Sequence, residues 1–349
     1  MNSFSENKWR FMKEEVLYHA KKAEVPKEFM VTLAEFLDYI NSSEERILPV
    51  WGYYKTLFVS DTLHIPIEKV MDIPVPDTYE KEYPGLLATV VFLAAARKFE
   101  KYLEENSLID SEYNFLQSYY ENIHRLMNMN YARDNTYALI RLGEYLYSYA
   151  KPLMLRIGRF AYELTRFEND VYDIYEKDGE YKFVPKSDAK FNAIGYPDKN
   201  GTIQPINFNK EGWNKVLDDG DYIITMHIPG NERLTKDTIE SSLKKSVPIL
   251  KSVFGEYKPK KLVCTSWLLS PQLKFLRPDS GIMQFQSYYD IVPWYSNDNS
   301  FYEHVFCSPI IPPEKLVPKN NFQKSLLDIY LSGGKLHDGF GIIKNKWQL

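Results

Sequence analysis

The chain has 349 residues, 44% hydrophobic and 26% charged, with a formal net charge of -4. These are globular proportions with material for two or three domains, and the acidic balance argues against a protein whose main work is gripping phosphate backbones, so nucleic acid is not an expected partner. Cys264 and Cys307 lie far apart and the six histidines contain no HExxH pair, which argues against a disulfide framework and a zinc ribbon, and no metal is expected.

The start, "MNSFSENKWRFMKEE", lacks the basic-then-apolar order of a secretory signal, and the least polar run, Leu86 to Ala96, is too short to span a bilayer. A cytoplasmic protein without a membrane span is expected. The sequence does not give the oligomeric state.

Trp9, Met12, Val16, Ala20 and Ala23 recur at helical spacing, as do Phe29, Leu33, Phe36 and Ile40 after Pro26, which predicts two consecutive amphipathic helices. Four prolines, Pro66, Pro74, Pro76 and Pro84, then predict an irregular or strand-like connection. "LLATVVFLAAARKFEKYLEEN" reads as a helix buried on most sides. Leu116, Tyr120, Ile123 and Met127 form a fourth stripe, and Leu139, Leu142, Leu146 and Tyr149 a fifth. The tyrosines between Tyr113 and Tyr149 can stack on a planar ligand or, more simply, bury their rings with hydroxyls in water.

Strand patterns replace helical ones near residue 150. "LMLRIGRFAYELTRF" predicts one long strand, and "VYDIYEKDGEYKFV" a hairpin turning at Asp178-Gly179. The strand Tyr222 to Ile228 feeds a helix from about Thr235, with a stripe of Ile239, Leu243, Val247, Leu250 and Phe254 that Pro248 is expected to kink. "KLVCTSWLL", "IMQFQSYY" and "HVFCSP" read as strands, a short helix starts at Ser270-Pro271, and "NNFQKSLLDIYLSGG" is a capped helix ended by Gly333. "GGKLHDGFG" is a helix stop and a turn into a last strand, since Phe340 stands where a phosphate loop needs lysine. The expected organisation is a helical domain over 1–150 and, over 151–349, a mixed sheet with helices against it: α/β, or more exactly stated α+β, overall.

The junction "HIPGNERLT" suits an anion. A helix N-terminus carries unpaired N–H groups and roughly half a positive charge, and Arg233 and Gly230 add a cation and close backbone approach. The plainer reading is an ordinary connection in which Thr235 caps the helix. His227, at the strand end, has the intrinsic acidity of a general base. Cys264 and Ser266 share one face of the next strand, where either is a nucleophile or ordinary packing.

Taken in order, "DYIITMHIPGNERLT", "LVCTSWLLSPQLKFL", "RPDSGIMQF" and "SGGKLHDGFG" resemble the GNAT-like C-terminal domain of a group of bacterial acyltransferases. "LRIGRFAYEL", preceded by helices, resembles their junction with an N-acyltransferase N-terminal domain. The resemblance implies a mainly antiparallel mixed sheet in which acyl-CoA inserts between two splayed strands, here Tyr222 to Ile228 and Lys261 to Thr265. It also implies pyrophosphate at the helix beginning near Thr235, and an acyl group passing directly to the amine or hydroxyl of a small-molecule acceptor. Ile228, Gly230, Asn231, Arg233, Leu234 and Thr235 are then the coenzyme A contacts, His227 the base, and Ser266 a pocket wall. Two family features are missing: "PGNERLT" has no Gly-x-Gly, and "SPQLKFLRP" has no tyrosine to protonate the thiolate, for which Tyr288 and Cys264 are the substitutes. The rival expectations are a sugar or small-molecule binder without chemistry, and a hydrolase or transferase using Cys264 or Ser266 with His227.

Overall fold

In the helical half, apolar residues at three- and four-residue spacing produce α1 (Lys13–Lys22), α2 (Lys27–Asn41), α3 (Glu44–Phe58), α4 (Asp77–Glu82), α5 (Leu86–Glu105), α6 (Phe115–Asp134) and α7 (Glu144–Ala150). The computed structural model describes residues 11, 13–58, 76–109, 112–139, 144–168, 171–186, 192–230, 232–278, 280–294 and 299–347. Its chain divides into two compact units, Met1–Arg156 and Ile157–Leu349.

In the first unit, α5 is buried continuously from Leu86 to Leu93, as its Ala-rich, apolar sequence predicts. Glu14 and Glu15 open α1, and Glu44 and Glu45 open α3, placing negative charge at the positive ends of both helices. Three expectations change. Within the proline-rich segment, Asp77–Glu82 is helical, begun by Pro76 with φ -56 already fixed for the entry; residues 59–75 lie outside the described residues, as do Trp9, Met12 and Leu142. Among the described residues the last stripe is helical over Glu144–Ala150, and Leu139 is outside a helix. Nor do the central tyrosines keep their hydroxyls in water: Tyr119 is fully buried and donates to the Phe92 carbonyl at 2.7 Å, while Tyr120 lies 2.8 Å from Nδ1 of buried His19.

A six-stranded sheet runs in the order β1-β2-β8-β9-β11-β10, all of it but the first three residues of edge strand β1 within the second unit. Its strands are β1 (Met154–Ile157), β2 (Phe160–Arg166), β8 (Tyr222–His227), β9 (Leu262–Ser266), β10 (Tyr289–Trp294) and β11 (Asp338–Ile343). Pairs β2–β8, β9–β11 and β10–β11 are antiparallel, and β8–β9 is parallel. The run predicted as one long strand is a hairpin instead, turned by Gly158 at φ +61, a left-handed conformation that glycine adopts without a Cβ penalty. The hairpin predicted at Asp178-Gly179 is present as β3 (Tyr172–Lys177) and β4 (Glu180–Pro185), with φ of 53° and 81° at the two turn residues. With β7 (Asn214–Leu217) it forms a three-stranded sheet, and β5 (Asn192–Ile194) pairs with β6 (Pro205–Asn207).

One face of the large sheet packs on the small one: Ile174, Phe183 and Leu217 meet Ile223, Val263, Phe340 and Ile342 in a common core. Burying each such side chain is worth about 1.5–3 kcal/mol. Toward the other face stands α8 (Lys236–Phe254), tied to β2 by the 3.0 Å contact of Tyr162 Oη with Ser242 Oγ. Pro248 does not split α8, which runs as one element from Lys236 to Phe254; its ring and Lys244, whose carbonyl loses a partner, are on the exposed side where water can satisfy the backbone.

"IMQFQSYY" is not a strand but α10 (Gly281–Gln286) followed by the start of β10, and the fully buried Phe285 packs 5.8 Å from Phe160 and 5.1 Å from Tyr289. "HVFCSP" is likewise a π-helical turn, Tyr302–Phe306, ending at Cys307. In both, burial of aromatic rings overrides a weak alternating pattern. The short α9 (Leu273–Leu276) and the capped α11 (Asn321–Leu331, Asn320 accepting from Gln323 N at 2.9 Å) follow their sequence signals. Among the described residues no helix is long and apolar enough to cross a membrane.

Candidate functional site

Strands β8 and β9 are paired through only two registers, Ile224↔Leu262 and Thr225↔Val263. Beyond them each strand continues, but toward a different neighbour. Met226 and His227 pair with Tyr162 and Ala161 of β2, whereas Cys264, Thr265 and Ser266 pair with Gly341, Phe340 and Gly339 of β11. The two parallel strands therefore separate at their C-terminal ends, each held away from the other by its outer partner. Strand backbone groups facing such a gap are donors and acceptors in search of an extended ligand.

The loop leaving β8 runs into α8. Thr235 is the N-cap: its Oγ1 accepts from Thr238 N at 3.3 Å, and Thr235 N donates to Thr238 Oγ1 at 3.1 Å, a reciprocal capping box. The Lys236 and Asp237 amides, in the first turn, have no acceptor within the helix. Asp237 sets a negative charge beside them, and the exposed Arg233 and Lys236 set two positive ones. A Cβ on Gly230 would meet nothing within 4 Å, so the loop backbone there is open to approach. Ile228 and Leu234 are half-buried, and Asn231 lies outside the described residues.

Arg159 holds this loop in place. From the β1–β2 turn its guanidinium donates to the Pro229 carbonyl at 2.6 Å and to the Glu232 carbonyl at 2.9 Å, and the residue is only 5% exposed. The turn is itself fixed against α8, where Ser242 Oγ donates to the Ile157 carbonyl and a Cβ on Gly158 would lie 3.4 Å from that of Ser242. Two carbonyls of a loop that lacks the family's second glycine are thus directed at a buried cation.

Alternation along the strands sorts the reactive side chains. Ile223 and Val263 share the core with the small sheet, so Thr225, His227 and Thr265 lie on that face, while Cys264 and Ser266 lie on the α8 face. His227 Nε2 is 2.7 Å from Glu163 Oε2, with side-chain exposures of 25% and 12%. Beside this pair Thr225 Oγ1 lies 2.8 Å from Thr165 Oγ1. Cys264 is 1% exposed, and burial pushes its thiol well above the usual range. Ser266 Oγ accepts from Leu268 N at 3.1 Å and caps the turn Trp267–Leu269. Cys264 and Ser266, the nucleophiles of the rival expectation, thus lie on the opposite face of the sheet from His227. Tyr288 Oη donates to Glu240 Oε1 of α8 at 3.0 Å; burial first, and Glu240 second, raise its pKa.

Glu163 and Arg159 were not singled out in the sequence. Glu163 had a signal, as a charged residue at an alternating position between Tyr162 and Leu164. Arg159 had only its place beside a glycine in "RIGRF". Among the described residues no group of His, Cys, Asp and Glu could hold a metal ion.

A mixed α/β sheet with one parallel pair splayed toward a capped helix defines the class of fold. The chain belongs to the GNAT-like C-terminal domain family, whose model matches residues 154–343. No curated protein matches the sequence. Among solved structures, it is similar to an acyltransferase in complex with decanoyl-CoA and teicoplanin, at 16% identity and TM-score 0.61 over 97% of this chain and 91% of that one. It is also similar to a mutant acyltransferase in complex with octanoyl-CoA, at 16% identity and TM-score 0.61 over 96% and 88%. A third similar structure is an acyltransferase in complex with decanoyl-CoA, at 17% identity and TM-score 0.54 over 95% and 99%.

Proposed function

We propose that the protein is an acyl-CoA-dependent acyltransferase acting on an amine or hydroxyl of a small molecule. The observation that carries this reading is the two-register pairing of β8 with β9, followed directly by a capped helix N-terminus. A narrow opening between strands receives an extended, amide-bearing pantetheine, and the adjacent amides and Arg233 receive its phosphates. The acyl-CoA structures of proteins sharing the fold support the same ligand class.

Acyl-CoA supplies a thioester carbonyl. The acceptor's nitrogen or oxygen attacks that carbon, forming the new C–N or C–O bond as the C–S bond breaks, while strand N–H groups stabilise the developing oxyanion. His227 takes the proton released by the acceptor, and the net transfer places it on the departing sulfur. Cys264 has no part in this scheme, being buried on the other face, and Ser266 serves the fold of the following turn. Tyr288, committed to Glu240, is not assigned to the sulfur.

Calorimetric titration with coenzyme A, octanoyl-CoA and decanoyl-CoA tests the reading. Binding in the micromolar range is expected, and no heat at millimolar ligand would overturn it.

A further inference from the structure

The geometry points to Glu163 as the positioning residue for His227, an inference that rests on the acyl-transfer reading above. The order of elements argues for it. β8 borders the gap and β2 stands one strand behind, so the sequence across the sheet is gap, His227, Glu163. The carboxylate is the more enclosed of the pair, 12% against 25% exposed, and its Oε2 is 2.7 Å from Nε2. Glu163 is opposite Thr225 in the β2–β8 register and His227 opposite Ala161, which makes the contact a diagonal one across a small alanine that leaves the ring room to lean. The Thr165–Thr225 hydroxyl pair, at 2.8 Å, sits next along the same face.

A carboxylate in that place accepts from Nε2–H. It thereby fixes the tautomer in which the Nδ1 lone pair is the one that receives a proton from the acceptor, and it stabilises the imidazolium that results. Glu163 takes no proton itself in the transfer. It does not replace His227 as the base, because it stands behind the strand that lines the gap and its near oxygen is already engaged.

The histidine ring nitrogens report this directly in long-range proton–nitrogen spectra of the whole chain, with the His227 signals assigned by their loss in His227→Ala. The expected wild-type pattern at neutral pH is the Nε2–H tautomer; Glu163→Ala gives a tautomer mixture, and Glu163→Gln, which keeps an acceptor, retains the tautomer. Thiol release from decanoyl-CoA with water as acceptor is expected to fall about ten- to a hundredfold in kcat in Glu163→Ala, part of the 10²–10⁴ a positioned base contributes, with KM within about twofold of wild type. An unchanged His227 spectrum in Glu163→Ala, or an unchanged kcat in that variant when His227→Ala is inactive, overturns the inference and leaves the acyltransfer reading standing. Full thiol release by His227→Ala overturns both.

Discussion

The two faces of one pair of strands give opposite fates to similar chemistry. His227 and Cys264 lie on neighbouring strands, and either could act as a base or nucleophile on composition alone. On the His227 face the core gives way toward the strand ends to polar, partly open side chains, with Glu163, Thr165, Thr225 and the exposed Thr265 nearby. On the other face Cys264 is closed in beside Tyr289, whose hydroxyl, held above its usual range by burial, donates to Met226 Sδ at 3.3 Å. A single-residue step along a strand decides between a site and a core.

The strongest way to break this comparison is His227→Ala, expected to lower acyl transfer by roughly 10²–10⁴ while coenzyme A affinity holds, as measured by thiol release and calorimetry. Cys264→Ala is expected to leave the rate alone; a comparable loss there would reverse the assignment of the faces.

Alkylation of the two thiols separates the environments next. Cys307 is exposed and should react with iodoacetamide in the native protein, whereas buried Cys264 should react only on unfolding. The sign of the pH effect follows from burial. The Cys264 thiol titrates higher folded than unfolded, so above about pH 8.5 the unfolded chain releases a proton that the folded chain keeps. Stability should therefore be fully present below that pH and decline as pH rises, less so in Cys264→Ala, as followed by denaturant unfolding.

A smaller effect tests the loop. Arg159→Ala leaves the Pro229 and Glu232 carbonyls without the guanidinium, and with charged hydrogen bonds worth about 1.5–3 kcal/mol coenzyme A affinity should drop on the order of tenfold. Acyl-pantetheine, which lacks the nucleotide and its phosphates, should lose less. Equal losses for both ligands in calorimetry would place Arg159 in general folding rather than in phosphate binding. The smallest expected change is Thr235→Ala, which removes one side of the capping box and should cost about 1 kcal/mol in denaturant unfolding.

Much of the second unit was legible. Asp178-Gly179 gave its hairpin because a turn with two positive φ angles, which these residues adopt readily, matches the strand twist, and Thr235 gave its cap because threonine competes for helix N–H groups. The misreadings have one cause. "LMLRIGRFAYELTRF" and "IMQFQSYY" alternate well enough for strands, but a left-handed glycine breaks the first and burial of Phe285 makes the second a helix. The candidate site was half visible: His227 and the Gly230–Thr235 loop lie within one continuous stretch, while Glu163 and Arg159 are 64 residues from His227 and 70 from Pro229, respectively.

By itself the sequence determined the strand-to-helix junction, its cap and the alternation that places His227 and Cys264 on neighbouring strands, since these depend on neighbours within a few residues. Only the tertiary structure decided that β8 and β9 part after two registers, that the two side chains look to opposite faces, that Arg159 reaches the loop carbonyls and that Glu163 meets His227. Pairing partners are chosen by burial across the whole sheet, and no local pattern in "DYIITMHIPGNERLT" specifies which strand takes its far end.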